Sequence, residues 1–172
     1  VHTYGVIRCS EEIGRRMGLQ AEDMELAKLI ALLHDIGRFE QLKRFNSFEA
    51  DTMDHATYGV QVLFEEGMIR QFIEEDTWDD VIRTAIAKHS DYELTGITDE
   101  RTLLHARLIR DADKLDNCRV KLEDAMETLL DLSADEVGKY AISPKVREDA
   151  FAGKCICSKD RSCLLYTSPS PR

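Results

Sequence analysis

The residues in this sequence that are best suited to carry out chemistry are its histidines. The chain has five, and four of them fall on or near the inner faces of separate predicted helices: His2, His34, His55 and His89. A buried imidazole costs free energy unless it gains a hydrogen bond or a metal ion. One such histidine alone would most often be a satisfied core residue. Four of them, together with Asp35 and the stretch RDADKLDN at residues 110–117, favour a metal site.

Imidazole and carboxylate are complementary metal ligands. Neutral imidazole suits Zn, Fe, Mn or Ni, and a carboxylate adds a hard oxygen ligand. Asp35 directly follows His34, and its two oxygens allow it to bridge two metals. Two metals a few ångström apart can together hold a hydroxide and polarise a phosphoryl oxygen. Because these ligands are far apart in the sequence, they must converge from different helices of a bundle.

The sequence predicts such a bundle. Apolar residues recur at helical spacing, and they predict helices at residues 1–17, 21–37, 55–66, 68–76, 78–90, 99–132 and 143–153. We expect loops at residues 38–53 and 91–98 and a short strand at residues 154–160. Gly18, Gly37 and Gly67 are expected to end helices, and Asp54 to cap the helix that begins at His55. The predicted fold class is all-α, with a single compact helical bundle.

Composition excludes some classes of function. The 172 residues are 43% hydrophobic and 33% charged, which suffices for one domain with a core. The net charge of −10 argues against general nucleic-acid binding and against binding to anionic membranes. No apolar run approaches the ~20 residues that span a bilayer. The five cysteines form no CxxC pair, and we therefore expect reduced thiols and a cytoplasmic location.

The ends of the chain differ from the rest in composition. Residues 163–172, CLLYTSPSPR, resemble the translation of a sequencing adapter, so we expect an artefact there, the alternative being a natural disordered tail. We predict the functional domain at residues 1–150 and the start of a truncated continuation at residues 151–162.

The order of the proposed ligands resembles that of a known family. One histidine (His2), an adjacent His34-Asp35 pair and a distant Asp113 match the signature of the HD-domain superfamily of metal-dependent phosphohydrolases. The stretch ALLHDIGRFEQ is similar to the central motif of that family. RDADKLDN is similar to its final motif, in which the aspartate before Lys or Arg is the ligand, so Asp113 is assigned rather than Asp111. The resemblance covers residues 1–117, is expected to continue to Asp160, and implies an all-α bundle of the HD-domain type.

The resemblance also implies a ligand set. His2, His34, Asp35 and Asp113 would hold one metal, and Asp35, His55 and His89 a second. In some HD phosphohydrolases the later histidines contact the substrate instead, so the alternative for His55 and His89 is phosphate binding or acid–base catalysis. We therefore expect one or two divalent ions per chain, and Fe, Mn, Mg, Zn, Co and Ni all stay open. The fifth histidine, His105, is interpreted as structural.

Three cations lie next to proposed ligands and are candidates for binding a phosphate: Arg38, Lys88 and Lys114. Each has the alternative of being a solvated residue or an ion-pair partner. The predicted activity is hydrolysis of a phosphoester, with a nucleotide favoured, by a metal-activated water and with Asp35, His55 and His89 as catalytic residues. The partner would be a small phosphorylated substrate, and the sequence also allows a homodimer.

Two other functions use the same residues. A smaller branch of the superfamily holds two irons with six such ligands and performs oxygenation. A helical module that senses a ligand at a vestigial site is the non-enzymatic alternative, although the complete ligand set argues against it. The cyclic-di-GMP phosphodiesterase branch is disfavoured, because SDYELTG follows His89 where that branch has HHE and DGxGYP motifs.

Overall fold

Helices form every regular element in the part of the chain that the computed structural model describes, namely residues 2–46, 52–123, 133–139 and 141–154. They are α1 (His2–Met17), α2 (Ala21–Leu33), α3 (Gly37–Phe45), α4 (His55–Val60), α5 (Asp79–Ala87), α6 (Glu100–Glu123), α7 (Ala134–Val137) and α8 (Pro144–Phe151). A π-helical turn, Gln61–Glu65, extends α4, and a 3-10 turn, Met68–Gln71, follows it. The all-α prediction is confirmed. Within these ranges no helix combines the length and the apolar composition needed to cross a bilayer.

Contacts divide the chain into two compact units, Val1–Asn117 and Cys118–Arg172. The predicted domain boundary at residue 150 stays a prediction. Most of the predicted strand and continuation, and the whole predicted tail, fall on residues 155–172, outside the described residues.

The core of the first unit is built on α2 and α5. Both helices are apolar enough to be buried, and the core includes Leu26, Ile30, Ala31, Leu33, Val81, Ile82, Ala85 and Ile86. Full burial of a side chain such as Leu or Ile contributes ~1.5–3 kcal/mol. α1 packs along α2, and α6 adds Ala106, Ile109 and Ala112 to the same core. The predicted central position of α2 and the predicted inner face of α5 are therefore confirmed.

The predicted loop at residues 38–53 is wrong over its first half, which α3 occupies. The pattern was misleading because the helix is inverted. Its buried face carries Gly37, Arg38 and Gln41, whereas Phe39 is 76% exposed and Phe45 47% exposed. A helix with polar residues inside lacks the apolar period by which helices are recognised.

The turn between α2 and α3 holds the His-Asp pair. α2 ends at Leu33, earlier than predicted, and His34 keeps αR backbone angles. Gly37 was expected to end the helix by turning the chain, but it is the first residue of α3 and is absent from the glycines with positive φ. Gly37 instead lets α3 approach α4 closely. A Cβ at this position would lie 2.1 Å from the carbonyl oxygen of His55 and 2.8 Å from the nitrogen of Gly59. Two glycines thus let α3 and α4 touch through their backbones.

Local capping agrees with prediction at the start of α4. The Asp54 carboxylate accepts the N–H groups of Ala56 at 3.1 Å and Thr57 at 3.2 Å, so it satisfies donors at the start of the helix. Gly67, at φ 77°, ends the π-helical extension as expected. These features fix the position of His55 at the first turn of α4.

Candidate metal centre

The six predicted ligands come from five places in the fold and converge. His2 begins α1, His34 and Asp35 follow α2, His55 begins α4, His89 follows α5, and Asp113 lies on α6. Four of them are almost fully buried: His34, His55, His89 and Asp113. Their donor atoms form two clusters that are joined by Asp35.

The first cluster consists of His2, His34 and Asp113. The Asp113 Oδ1 atom lies 3.0 Å from His2 Nε2 and 3.7 Å from His34 Nε2. His34 Nε2 is buried and makes no hydrogen bond within the described part of the chain. Donor atoms that each bind one ion at ~2.1 Å are roughly 3.0–3.5 Å apart. An orphaned imidazole nitrogen facing a carboxylate at this spacing fits a divalent ion.

The second cluster consists of His55, His89 and the other side of Asp35. Asp35 Oδ1 lies 3.3 Å from His55 Nε2 and 3.6 Å from His89 Nε2, and the two Nε2 atoms are 3.1 Å apart. The second oxygen, Oδ2, lies 3.6 Å from His34 Nε2. The two oxygens of Asp35 therefore face different clusters, which is the geometry of a bridging carboxylate.

Backbone carbonyls fix the tautomers of two histidines. His34 Nδ1 donates to the Ala31 oxygen at 2.8 Å, and His89 Nδ1 donates to the Ile86 oxygen at 2.7 Å. A carbonyl only accepts, so Nδ1 carries the hydrogen and Nε2 keeps its lone pair when the ring is neutral. In both rings that lone pair is available to the clusters, as metal-binding histidines require.

A carboxylate that sequence reasoning missed holds His2. Asp116 is 1% exposed, and its Oδ2 accepts a hydrogen bond from His2 Nδ1 at 2.8 Å. Asn117 donates to Asp113 Oδ1 at 2.9 Å. Asp113, Asp116 and Asn117 are spaced i, i+3, i+4 and so share one face of α6. That spacing within RDADKLDN was the signal that would have found them.

The electrostatics of the first cluster favour a cation. Burial alone would raise the pKa of Asp113, but the hydrogen bond with His2 and the close contact with the His34 ring hold it at about 2. Burial alone would lower the pKa of His34, but the charge of Asp35 and the contact with Asp113 raise it. Protons on the imidazoles thus balance the carboxylates, and a divalent ion would displace those protons.

The second cluster differs in its charge balance. Burial first, and then the positive charge of Arg38, lower the pKa of His55 to about 4, and the carboxylate of Asp35 offsets only part of this shift. His55 is therefore neutral near pH 7. Arg38 itself is buried, and its Nε donates to Asp35 Oδ1 at 3.2 Å.

The three predicted phosphate-binding cations differ in their positions. Arg38 lies at the site, whereas Lys88 pairs with Asp91 at 3.2 Å. Lys114 is exposed although the neighbouring Asp113 is buried. The structure thus brings only the first of these three side chains into contact with a proposed ligand, and substrate binding by any of them stays a prediction.

Two residues left out of the ligand set lie outside the clusters. Asp111 is exposed. His105 is buried and donates through Nε2 to Asp23 Oδ1 at 2.9 Å. Arg101 also donates to Asp23, at 2.7 Å, so α2 and α6 share a polar network. The structure is consistent with the structural interpretation of His105.

Comparison with known proteins identifies the family of this chain. The family model described as the HD domain matches residues 1–118, a range that contains all six converging side chains. The search of curated proteins gave no match, and the search of solved structures gave none either. Since the matched range is more than half of the chain, the protein belongs to the HD domain family, within the superfamily of metal-dependent phosphohydrolases.

Proposed function

We propose that this protein hydrolyses a phosphoester bond in a small phosphorylated substrate, with nucleotides as the favoured class. The observation that best supports the proposal is the position of Asp35, whose Oδ1 faces His55 at 3.3 Å and whose Oδ2 faces His34 at 3.6 Å. A carboxylate placed between two histidine clusters suits a site for one or two divalent ions. Membership of the HD family supports the reaction class.

The proposed ligands form two sets, one for each metal ion. In our proposal one ion is held by His2, His34, Asp35 and Asp113, and a second by Asp35, His55 and His89. When bound, divalent ions of this kind lower the pKa of water and polarise a phosphoryl oxygen.

The side chains around the second cluster would stabilise the charge of a phosphoryl group and accept a proton. The Arg38 guanidinium lies beside Asp35 and would stabilise negative charge on a phosphoryl group. The pKa of His55, lowered to about 4 chiefly by burial, makes its ring a proton acceptor rather than a donor near pH 7. If only the first ion is bound, His55 and His89 are free to contact the substrate.

Asp35→Ala tests the proposal. We expect the variant to lose bound metal and hydrolysis together, because both clusters lose their shared ligand. Bound metal is measured by elemental analysis. Hydrolysis is measured by release of nitrophenol from bis(p-nitrophenyl) phosphate and of phosphate from a panel of nucleotides. Asp111→Ala removes an exposed carboxylate from α6 and is the matched control. An active variant without metal would contradict the proposal.

The oxygenase alternative uses the same six side chains, so geometry alone favours neither reaction. Oxygen uptake by the iron-loaded protein separates them, because hydrolysis consumes no oxygen. Sustained oxygen uptake without phosphate release would contradict our proposal and support the oxygenase alternative. Binding of a nucleotide without either reaction would support the sensing module.

A further inference from the structure

The two clusters have outer partners of opposite charge. Beside the first cluster lies the carboxylate of Asp116, which is hydrogen-bonded to His2 at 2.8 Å. Beside the second lies the guanidinium of Arg38, whose Nε is 3.2 Å from Asp35 Oδ1. An arginine side chain stays charged at any ordinary pH. The oxygen that would bind the second ion therefore already has a permanent cation beside it.

Arg38 is held in this position. It is 8% exposed, and its NH1 group donates to Gln41 Oε1 at 3.2 Å. Gln41 is fully buried and donates in turn to Thr52 Oγ1 at 2.9 Å. Since Arg38 and Gln41 are three residues apart on the buried face of α3, the helix presents both toward the inside.

The charge of Arg38 acts on the second cluster directly. Its Nε and the Nε2 atom of His55 both lie within 3.3 Å of the same oxygen of Asp35. A fixed positive charge beside Asp35 Oδ1 disfavours a second cation at the same oxygen, because like charges repel.

We infer that the two half-sites bind metal unequally, with His2, His34, Asp113 and the Oδ2 atom of Asp35 forming the tighter one. Asp35 Oδ1, His55 and His89 form the weaker one, because Arg38 competes for the shared carboxylate. The inference rests on the metal site of the proposed function. It means that the protein holds one ion when metal is scarce and gains the second only at higher metal concentration.

A titration of the metal-free full chain with Mn²⁺ tests this, with free ion measured by electron paramagnetic resonance. We expect one tight and one weak equivalent in the unaltered protein. Arg38→Met should tighten the weak equivalent roughly tenfold and leave the tight one nearly unchanged. The matched control is Lys43→Met, which removes a charge from a side chain of α3 that is 76% exposed, and should reproduce the unaltered protein. His55→Ala should abolish only the weak equivalent.

If Arg38 supports metal binding instead of opposing it, its replacement should change the metal affinity in the opposite direction. If the guanidinium serves only to orient Asp35, its loss should weaken metal binding by about 10–100-fold. That result, an unchanged weak equivalent, or two equal equivalents in the unaltered protein would each overturn the inference. Gln41→Met provides a second variant, since loss of the Gln41 acceptor weakens the hold on Arg38 and should tighten the weak equivalent by a smaller factor. The titration needs no substrate, so a protein that binds metal in this way but hydrolyses nothing would leave the inference standing.

Discussion

At the scale of single residues, Asp116 decides which nitrogen of His2 is available to the metal cluster. Its carboxylate lies on the Nδ1 side of the ring and Asp113 lies on the Nε2 side. Outer carboxylates of this kind fix the orientation and raise the basicity of a ligating histidine. The residue binds no metal in our proposal, yet the tighter half-site depends on it.

Asp116→Ala should weaken the tight Mn²⁺ equivalent by about 10–100-fold, because His2 loses the group that orients it. Asp116→Asn should lose less, since its amide oxygen still accepts the hydrogen of Nδ1. The free-ion titration measures both variants, and Asp111→Ala is the control. Equal losses in the Ala and Asn variants would show that charge, not orientation, is the contribution of Asp116.

Gly5→Ala tests the same contact without altering any polar group. The added Cβ would lie 1.8 Å from Asp116 Oδ1, so the carboxylate must move away from His2. We expect a weakened tight equivalent and a lower melting temperature. Gly14→Ala is the control on the same helix, because its Cβ would meet only the ends of two side chains, Met24 Cε at 2.9 Å and Leu19 Cδ1 at 3.1 Å. Unchanged metal binding in Gly5→Ala would argue against the positioning role of Asp116.

At the scale of elements, the network between α2 and α6 makes stability depend on pH. Burial lowers the pKa of His105 below its usual 6.5, although the hydrogen bond with Asp23 opposes the shift. Burial alone would raise the pKa of Asp23, but hydrogen bonds from His105 and Arg101 hold it below its usual value. Both pKa values are depressed in the folded state. Each group therefore stabilises the fold above its unfolded pKa and loses that contribution as the pH falls.

The substitution His105→Gln tests this dependence of stability on pH. The amide still donates to Asp23 but does not titrate, so only the unaltered protein loses the histidine contribution below pH 6.5. We expect the unaltered protein to be more stable by about 1 kcal/mol near neutrality. The difference should shrink toward pH 5. Urea unfolding at several pH values measures it, and a difference that grows in acid would mean that the fold favours the charged ring.

The elements also show what the sequence could predict. Val81, Ile82, Ala85 and Ile86 recur with the helical period and are buried on α5, so that face was predictable from apolar residues alone. The inner face of α3 was not, because its contacts are polar and depend on Asp35 and on residues after it in the chain. The convergence of the six side chains was predictable by family resemblance, whereas the contact of Asp116 with His2 depends on how α6 packs against α1.

At the scale of the whole molecule, the site connects elements that are distant in sequence. Its six side chains are spread over residues 2–113, and all lie within the first compact unit. One ion bound there would join α1, α2 and α6, and a second would join α2, α4 and α5. The predicted nucleotide substrate, homodimer and cytoplasmic location stay predictions at this scale.

Metal should therefore stabilise the whole first unit. An ion that binds only the folded state at 100 times its Kd adds ~2.7 kcal/mol to the free energy of unfolding. We expect the melting temperature to rise when Mn²⁺ is added to chelator-treated protein, as measured by circular dichroism. Asp35→Ala should show little of this rise. A rise of equal size in that variant would place the stabilising ion elsewhere.

The inverted helix α3 has a consequence for cooperativity. Because its inner face carries Arg38 and Gln41 instead of apolar residues, hydrophobic burial contributes little to keeping this nine-residue segment helical. Its order depends on a chain of polar contacts that ends on Asp35. Occupancy of that carboxylate and helicity of α3 are thus thermodynamically linked, and each must respond to the other by the same free energy. The amide protons of α3 would act as a reporter of what is bound at Asp35.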